Sequence, residues 1–530
     1  MLKIFTSFLV NLRKFIFDNV IYYKYQSKYY NFYKKNSFRY NDTFKNKSNV
    51  VYLEYYPIWG SQISFVYLVK ALAEKYNANI IIYNPKPAKL FKKYYLILSF
   101  KLKINFFKIY FLYSNKIIIP NQEIALDNKE KKIINRLKKI KKKRELLNFK
   151  IYGVLVGDLL YDSFLKKFNE YTIDINSKIF QEFAKKFIIL FIYWYKKINE
   201  KKVKSIVSSH PVYENAIPLR IAYSLGKDAF TSSLHATYRH TKKNFSFNYN
   251  IKNRYSALSQ KEKIKGIEIS KKILKKKFLG LTTADAILGI RKPIVQKINF
   301  QKKNLFNKKN KTILIAIHSF SDAPHVFGNF IFEDHYEWLK FLGKETRKNL
   351  DFNWILKVHP IFYDNEIETV KKILKEYPHI KILKKNTTHN EILKKGIKCV
   401  LSIYGSVVYE YAYFGVPTIL ASKNHPYKNF SFVKEASSKK EYKKLLKNIK
   451  KFKINFSKKE IFSYYYLRFL KSNNLFNNYD QIAKKLKYRM QSPLILKEWM
   501  EELNIAKHSK LLLNYKDFIY SKNHIFEKKY

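Results

Sequence analysis

From residue 48 the chain reads SNVVYLEYYPIWGSQISFVYLVKALAEKYNANIIIYNP. A short apolar run at 50–54 gives way to a loop with Pro57 and Gly60, then to apolar residues at helical spacing, then to a second apolar run at 79–83. Short runs of β-branched and aromatic residues predict buried strands, and the spaced segment between them predicts an amphipathic helix. That strand–helix–strand order is how a Rossmann-like parallel sheet begins.

The pattern continues less evenly. Residues 86–148 read as helical and strongly basic, ending in KKIINRLKKIKKKRELL, so nearly every face must be solvated or meet an anion. A further β/α series includes IYGVLVGDLLYDSFLKKF, a long helix around FAKKFIILFIYWYKK, and the strand VKSIVSSHP leading into VYENAIPLRIAYSLG. ISKKILKKKFLGLTTADAILGI predicts a helix or two leading out of this half. The second half restarts cleanly. TILIAIHSF, NWILKVHP, HIKILKK, KCVLSI and VPTIL predict strands, and EWLKFLGKETRKN, ETVKKILKEY and EILKKG predict the helices between them. Such alternation argues for a second parallel, doubly wound sheet. The expected division is therefore a basic amphipathic N-terminal extension (1–47), a first Rossmann-like domain (48–300), a linker (301–311), a second Rossmann-like domain (312–461) and a helical, aromatic-rich C-terminal extension (462–530).

Composition changes this picture in three places. At 530 residues and 47% hydrophobic the chain can bury two or more cores, and its formal net charge is +64. That excess invites a nucleic-acid reading. However, it is spread along the whole chain, and it is carried by Lys with Arg scarce, as an AT-rich coding sequence produces. Readers of nucleic acid lean on the planar fork of Arg. Nucleic acid is not the expected partner; attraction to an anionic membrane surface is. The single cysteine, Cys399 in the apolar run IKCVLSIY, excludes an internal disulfide framework and a cysteine-based zinc cluster, and predicts a buried, inert thiol in a reducing cytoplasm. Finally, the opening MLKIFTSFLVNLRKFIFDNVIYY is interrupted by Lys3, Arg13, Lys14 and Asp18 and lacks a cleavage site. It reads as an amphipathic helix that lies on the inner membrane or packs on the protein.

Motifs narrow the chemistry first by absence. There is no G-x-G, no P-loop, no G-x-S-x-G elbow and no D-x-D anywhere in the chain, so no metal is expected at the site. In open parallel sheets ligands bind beyond the carboxyl ends of the strands. Three polar clusters fall there in the second half: His318, Ser319, Ser321 and Asp322; Lys357, His359 and Pro360; and Ser402, Tyr404, Gly405 and Ser406. Together they suggest anion binding. Gly405 lets the backbone come close, Ser406 is placed to cap the helix VVYEYAYF, and the start of a helix favours a phosphate. Lys357 and His359 would add charge-assisted hydrogen bonds, and Glu410 would accept from sugar or ribose hydroxyls.

The stretch from HSFSDAPHVFGNFIFEDHYEWLKFLG through NWILKVHP to SIYGSVVYEYAYFGVPTIL resembles the bacterial capsule and surface polysaccharide biosynthesis glycosyltransferases. These include a Kdo-transferase-like group and, more distantly, polysialyltransferases with HP and Ser motifs. The resemblance covers roughly residues 150–425 and is most specific over 315–420. The family's K-x-H-P element is matched at Lys357, His359 and Pro360, and its G-S-x-x-x-E-A-x-x-x-G-x-P element at Gly405, Ser406, Glu410, Gly415 and Pro417, with Tyr411 intruding between Glu410 and Ala412. The resemblance implies a GT-B-like α/β fold: two Rossmann-like parallel-sheet domains facing across a cleft, with helical extensions at both ends. It implies that the second half holds a nucleotide-activated sugar, CMP-linked in some relatives, and needs no other cofactor. His318, Asp322, Lys357, His359, Gly405, Ser406 and Glu410 would then be donor-side residues. The first half would hold a polysaccharide or glycolipid acceptor and the base, for which Asp158, His210 and Glu214 are candidates, with Trp59 as a surface for a sugar ring. The basic segments 131–144 and 271–277 would attract an anionic lipid-linked acceptor or the inner leaflet. A polyol-phosphate transferase of the same fold, or a non-catalytic assembly or nucleic-acid-binding protein, is the alternative.

Overall fold

The computed structural model describes residues 23–36, 47–104, 107–121, 124–234, 236–244, 251–279, 310–328, 330–359, 364–385, 387–471, 475–476, 481–482, 485–486 and 493–527. Its first sheet contains β1 (Asn49–Glu54), β2 (Ala78–Tyr83) and β3 (Ile117–Ile118), followed after the small hairpin β4 (Lys150–Ile151) and β5 (Val154–Leu155) by β6 (Val203–Ser208), β7 (Asp228–Ser232) and β8 (Thr237–His240). The spatial order is β3-β2-β1-β6-β7-β8, parallel except for the last pair. The second sheet contains β9 (Lys311–Ile317), β10 (Phe352–Val358), β11 (Ile380–Ile382), β12 (Ile397–Ser402), β13 (Thr418–Leu420) and β14 (Val433–Glu435). Its order is β11-β10-β9-β12-β13-β14, parallel throughout. With the hairpin set aside, both sheets have the strand order 3-2-1-4-5-6 of a dinucleotide-binding Rossmann sheet. The two-domain α/β architecture expected from the sequence is present.

Both sheets are covered on both faces, which is why their central strands read as unbroken apolar runs. In the first, Leu53, Val66 and Phe230 lie on one side and Tyr52, Ile206 and Trp194 on the other. In the second, Ile313, Trp338 and Trp354 oppose Leu314, Ile355 and Tyr411. The helix Trp59–Tyr76 is buried over most of its circumference. The helix at 23–35 and the C-terminal helices Leu494–Glu502 and Ile505–Tyr520 come back to cover it: Tyr33 and Tyr67 join hydroxyls at 2.9 Å, and the Trp499 indole donates to Tyr33 at 3.3 Å. The tail after the last helix pairs with β8 through Phe526 N donating to the Thr237 carbonyl at 2.9 Å. That protects an edge strand that would otherwise be open to pairing.

Three features depart from the sequence reading. The short strands β3, β7, β8 and β14 were not expected; β3 is two residues inside a basic stretch, and the others carry polar residues that interrupt an apolar run. The segment 86–148 is not one helical region but two helices, a 3₁₀ turn and β3 before the short helix Lys143–Leu147. The helix Gln260–Phe278, assigned by sequence order to the first half, packs instead on the second, where Leu274 shares a core with Tyr409, Ile461 and Tyr465. The amphipathic extension is described only at 23–36 and 47, and the linker only at 310–311; the rest of both, residues 280–300 and Pro360 lie outside the described residues. Among the described residues no helix is long and apolar enough to cross a membrane.

Candidate active site between the two sheets

In each sheet the strand order reverses at its centre, between β1 and β6 and between β9 and β12. The carboxyl ends flanking such a reversal form the crevice where these sheets bind ligands. The loops there run from Glu54 and Ser208 in the first sheet and from Ile317 and Ser402 in the second. The two crevices meet: the Tyr213 hydroxyl, from the loop after β6, donates to Asp322 Oδ1 at 3.3 Å, in the loop after β9. Tyr213 has φ 59° and ψ −165°, a conformation an L-residue adopts at a cost of about 1–3 kcal/mol. Asp322 is exposed.

On the second-sheet side, His318, Asp322, His359 and the Tyr404–Gly405 turn converge as expected. Gly405 has φ +126°, and a Cβ there would lie 2.5 Å from His318 Nε2. The glycine is therefore required both by its backbone and by the imidazole against it. His318 Nε2–H donates to the Tyr404 carbonyl, and the Tyr427 hydroxyl donates to the Gly405 carbonyl. Burial lowers the pKa of His318 against the pull of that carbonyl and Asp322, so the ring is neutral and its Nδ1 carries a lone pair. His359 stacks on His318 with ring centroids 5.6 Å apart, and burial, with His318 beside it, pushes its pKa down to about 4. At neutral pH, before any anion binds, His359 is thus uncharged.

Three further donor-side residues are placed differently from the expectation. Lys357 does not project freely; its ammonium donates to the Thr387 carbonyl at 2.7 Å, and burial lowers its pKa to about 8. Ser406 is not a cap. It has helical φ −64° and ψ −27°, with no side-chain capping bond to the helix Val407–Tyr413, and its hydroxyl bonds Glu410 instead. Glu410 is buried and holds Lys277 Nζ at 2.8 Å through Oε1, a partner contributed by the helix that packs across from the first half of the sequence. Burial works against its charge, but Lys277, His389 and Ser406 together lower its pKa. The second glycine of the motif is architectural: Gly415 has φ +83°, with Gly415 N on the Ala412 carbonyl and Val416 N on the Tyr411 carbonyl, which closes the helix in a Schellman motif.

On the first-sheet side the loop after β6 carries His210 and Glu214. His210 is exposed, shares a 2.8 Å hydrogen bond with Ser209 Oγ and packs on Tyr56, and desolvation lowers its pKa although Glu54 pulls it up. Glu214 pairs with Lys86 at 3.2 Å. Asp158 is 2% exposed at the start of the helix Gly157–Phe168 and paired with Arg220 at 2.5 Å, so its carboxylate serves a buried ion pair. Trp59 stacks on Phe107 with centroids 4.4 Å apart, which occupies one face of the indole.

No protein-family model and no curated protein matches this sequence. Solved structures do overlap with it. The beta Kdo 2,4 transferase KpsC of Thermosulfurimonas dismutans aligns at 9% identity over 50% of this chain and 79% of its own, with a TM-score of 0.33. A glycosyltransferase from Rickettsia africae aligns at 11% identity over 90% of this chain and 100% of its own (TM-score 0.26). A UDP-GlcNAc 2-epimerase from Neisseria meningitidis, bound to UDP-GlcNAc, aligns at 13% over 86% and 99% (TM-score 0.25).

The structure also brings forward residues that the sequence did not single out. Glu54, 0% exposed at the end of β1, accepts from Ser208 Oγ at 2.7 Å, Ser209 N at 2.5 Å and Asn215 Nδ2 at 3.0 Å, and so ties both ends of the loop carrying His210, Tyr213 and Glu214. Its signal was legible: a carboxylate ending the apolar run VVYLE. The domains themselves are locked by a second cluster. Asp162 accepts from His325 Nδ1 at 2.6 Å and from its backbone N at 3.1 Å, and His325 Nε2 donates to the Glu333 carbonyl at 3.1 Å. Tyr161 and Thr172 both donate to Asp334 at 2.5 Å, and Lys143 pairs with Glu337 at 2.7 Å. Chemically, the crevice offers two neutral imidazoles and a glycine turn on one side, and a carboxylate and a third imidazole on the other. That set can seat an anionic leaving group opposite a proton acceptor.

Proposed function

We propose that the protein is a glycosyltransferase that moves a sugar from a nucleotide-activated donor to a growing surface or capsular polysaccharide or its lipid-linked acceptor. The observation that carries this reading is the meeting of two Rossmann crevices through Tyr213 and Asp322. One crevice suits an activated donor and the other an acceptor. In this mechanism the donor phosphate lies against the Gly405–Ser406 turn and His359, which gains a proton as the anion binds. His318 acts by positioning, since its one N–H is held by Tyr404. Glu410 fixes the helix behind the turn through Lys277. His210 or Glu214 takes the proton from the acceptor hydroxyl, whose oxygen then bonds to the anomeric carbon as the sugar–phosphate bond breaks and the nucleotide leaves with the electron pair. Asp158 is not assigned a role in this step because Arg220 holds it. No cofactor is proposed beyond the donor, and the protein is placed in the cytoplasm at the inner-membrane surface.

A thermal-shift series with CMP-, CDP-, UDP- and GDP-sugars tests the reading. One nucleotide class should raise the melting temperature of the wild type and leave His359→Ala unmoved. A series in which no nucleotide sugar shifts the wild-type melt refutes a donor site.

A further inference from the structure

The helix Leu90–Lys101 leaves the carboxyl end of β2 through a loop whose Lys86 pairs with Glu214 of the proposed acceptor side. Its inner stripe is narrow. Only Leu96, Ser99 and Phe100 are buried. The remaining surface is apolar where a soluble helix is usually polar: Leu90, Phe91, Tyr94, Tyr95, Ile97 and Leu98 are all exposed, Phe91 by 86% and Leu90 by 69%. At about 100° per residue these six fall on one continuous outward arc of about 160°. Leu102 and Ile104, just beyond the helix, extend the same exposed surface. Lys93 lies at the border between this arc and the buried stripe, Lys92 falls in the stripe's own sector at the start of the helix, and Lys89, Lys101 and Lys103 sit at the helix's two ends.

We propose that this helix is a docking surface for an anionic lipid bilayer, lying in the interface with its aromatic and aliphatic arc among the acyl chains and its lysines at the headgroups. The charge pattern chooses the partner. An apolar arc without a carboxylate, with Lys93 at one border and lysines at both ends, matches a negatively charged interface, into which lysine ammonium groups can rise while their stems stay apolar. A second copy of this chain would instead bring like-charged rims together, at a cost. Docking would set the Lys86–Glu214 loop beside the membrane, where a lipid-linked acceptor is presented. Only that last consequence rests on the glycosyltransferase reading; the docking itself is read from the helix.

The test is flotation of the full-length protein with vesicles of phosphatidylglycerol and phosphatidylethanolamine, and with vesicles of phosphatidylcholine alone. The wild type should float with the anionic vesicles, and a variant carrying Phe91→Ser, Tyr94→Ser and Leu98→Ser should partition at least about tenfold more weakly. Its nucleotide-induced thermal shift should match wild type. Should the variant prove unstable, Phe91→Cys labelled with an environment-sensitive fluorophore replaces it, Cys399 being buried; emission should shift to the blue on anionic vesicles. Equal flotation of variant and wild type, or an unchanged emission, overturns the proposal. So does a wild type that ignores vesicles but forms a dimer that the variant abolishes. A nucleotide series without response would remove the glycosyltransferase reading and leave the flotation result standing.

Discussion

Replacing His325 with Gln tests whether an ion pair buried between the domains holds the crevice together. His325 and Asp162 are both buried, and His325 spends both ring N–H groups, on the Asp162 carboxylate and the Glu333 carbonyl. A ring that donates at both nitrogens is an imidazolium. Burial opposes that charge, but Asp162, with Asp158 and Asp334 behind it, outweighs the penalty and raises the pKa. Of the other cations nearby, Arg220 is held by Asp158 and Lys143 by Glu337 and Asp334. Removing one member of a buried pair costs about 3–5 kcal/mol; Gln keeps one donor, so a loss of about 3 kcal/mol is expected. The pH dependence has a definite sign. The folded pKa lies above the unfolded value of about 6.5, so the stabilisation is complete below that value and fades as the pH rises through the folded pKa. Urea denaturation at pH 6 and at pH 9 measures this directly. The gap between wild type and His325→Gln should be widest at pH 6 and should narrow at pH 9. Parallel stabilities at both pH values would refute the charged-latch argument, whatever the absolute loss.

Further expectations concern the crevice and the lone thiol. Gly405→Ala forces an unfavourable φ and drives a methyl into His318, so it should lower stability by about 2–4 kcal/mol in denaturant melts, and a tolerated alanine would remove the close-approach argument. Because the pKa of His359 is held at about 4, binding of a phosphate should draw in a proton. Affinity for the active nucleotide should therefore rise from pH 7 to pH 5, and calorimetry in two buffers of different ionisation enthalpy should show proton uptake; none at pH 6 would take His359 out of the anion site. Burial raises the pKa of Cys399 to about 12, so it should resist a thiol reagent in buffer and react once in denaturant, and rapid labelling of native protein would contradict its placement.

The parts of the fold that were legible are those where burial writes a long pattern. β1, β2, β6, β9, β10 and β12 have apolar runs of adequate length, and the sequence pattern places each to within three residues, with β6 and β9 overrun at their polar ends. β7 and β14 were missed because DAFTS and VKE carry polar residues, as edge and near-edge strands do. The candidate site is legible in the sequence as a set of strand ends, which the reversal of strand order gathers. What a strand end does there was not legible, because it depends on partners distant in sequence. Lys357 is turned away by the Thr387 carbonyl, and Glu410 is claimed by Lys277, more than a hundred residues upstream.

The chain's own bias points to where such partners can be sought. With 104 Lys and Arg against 40 Asp and Glu, a single lysine read without its structural surroundings carries little information, because the background supplies one almost everywhere. A carboxylate is the rarer event, and a buried carboxylate must be matched by donors or a cation to exist at all. Glu54, Asp158, Asp162, Asp334 and Glu410 are all at most 5% exposed, and each has found donors or a cation. Glu54 shapes the loop after β6, Asp162 and Asp334 join the domains, and Glu410 anchors the helix behind the Gly405 turn. In a sequence this basic, acidic residues that close or flank an apolar run mark the crevice and the domain junction better than the lysines that dominate the count.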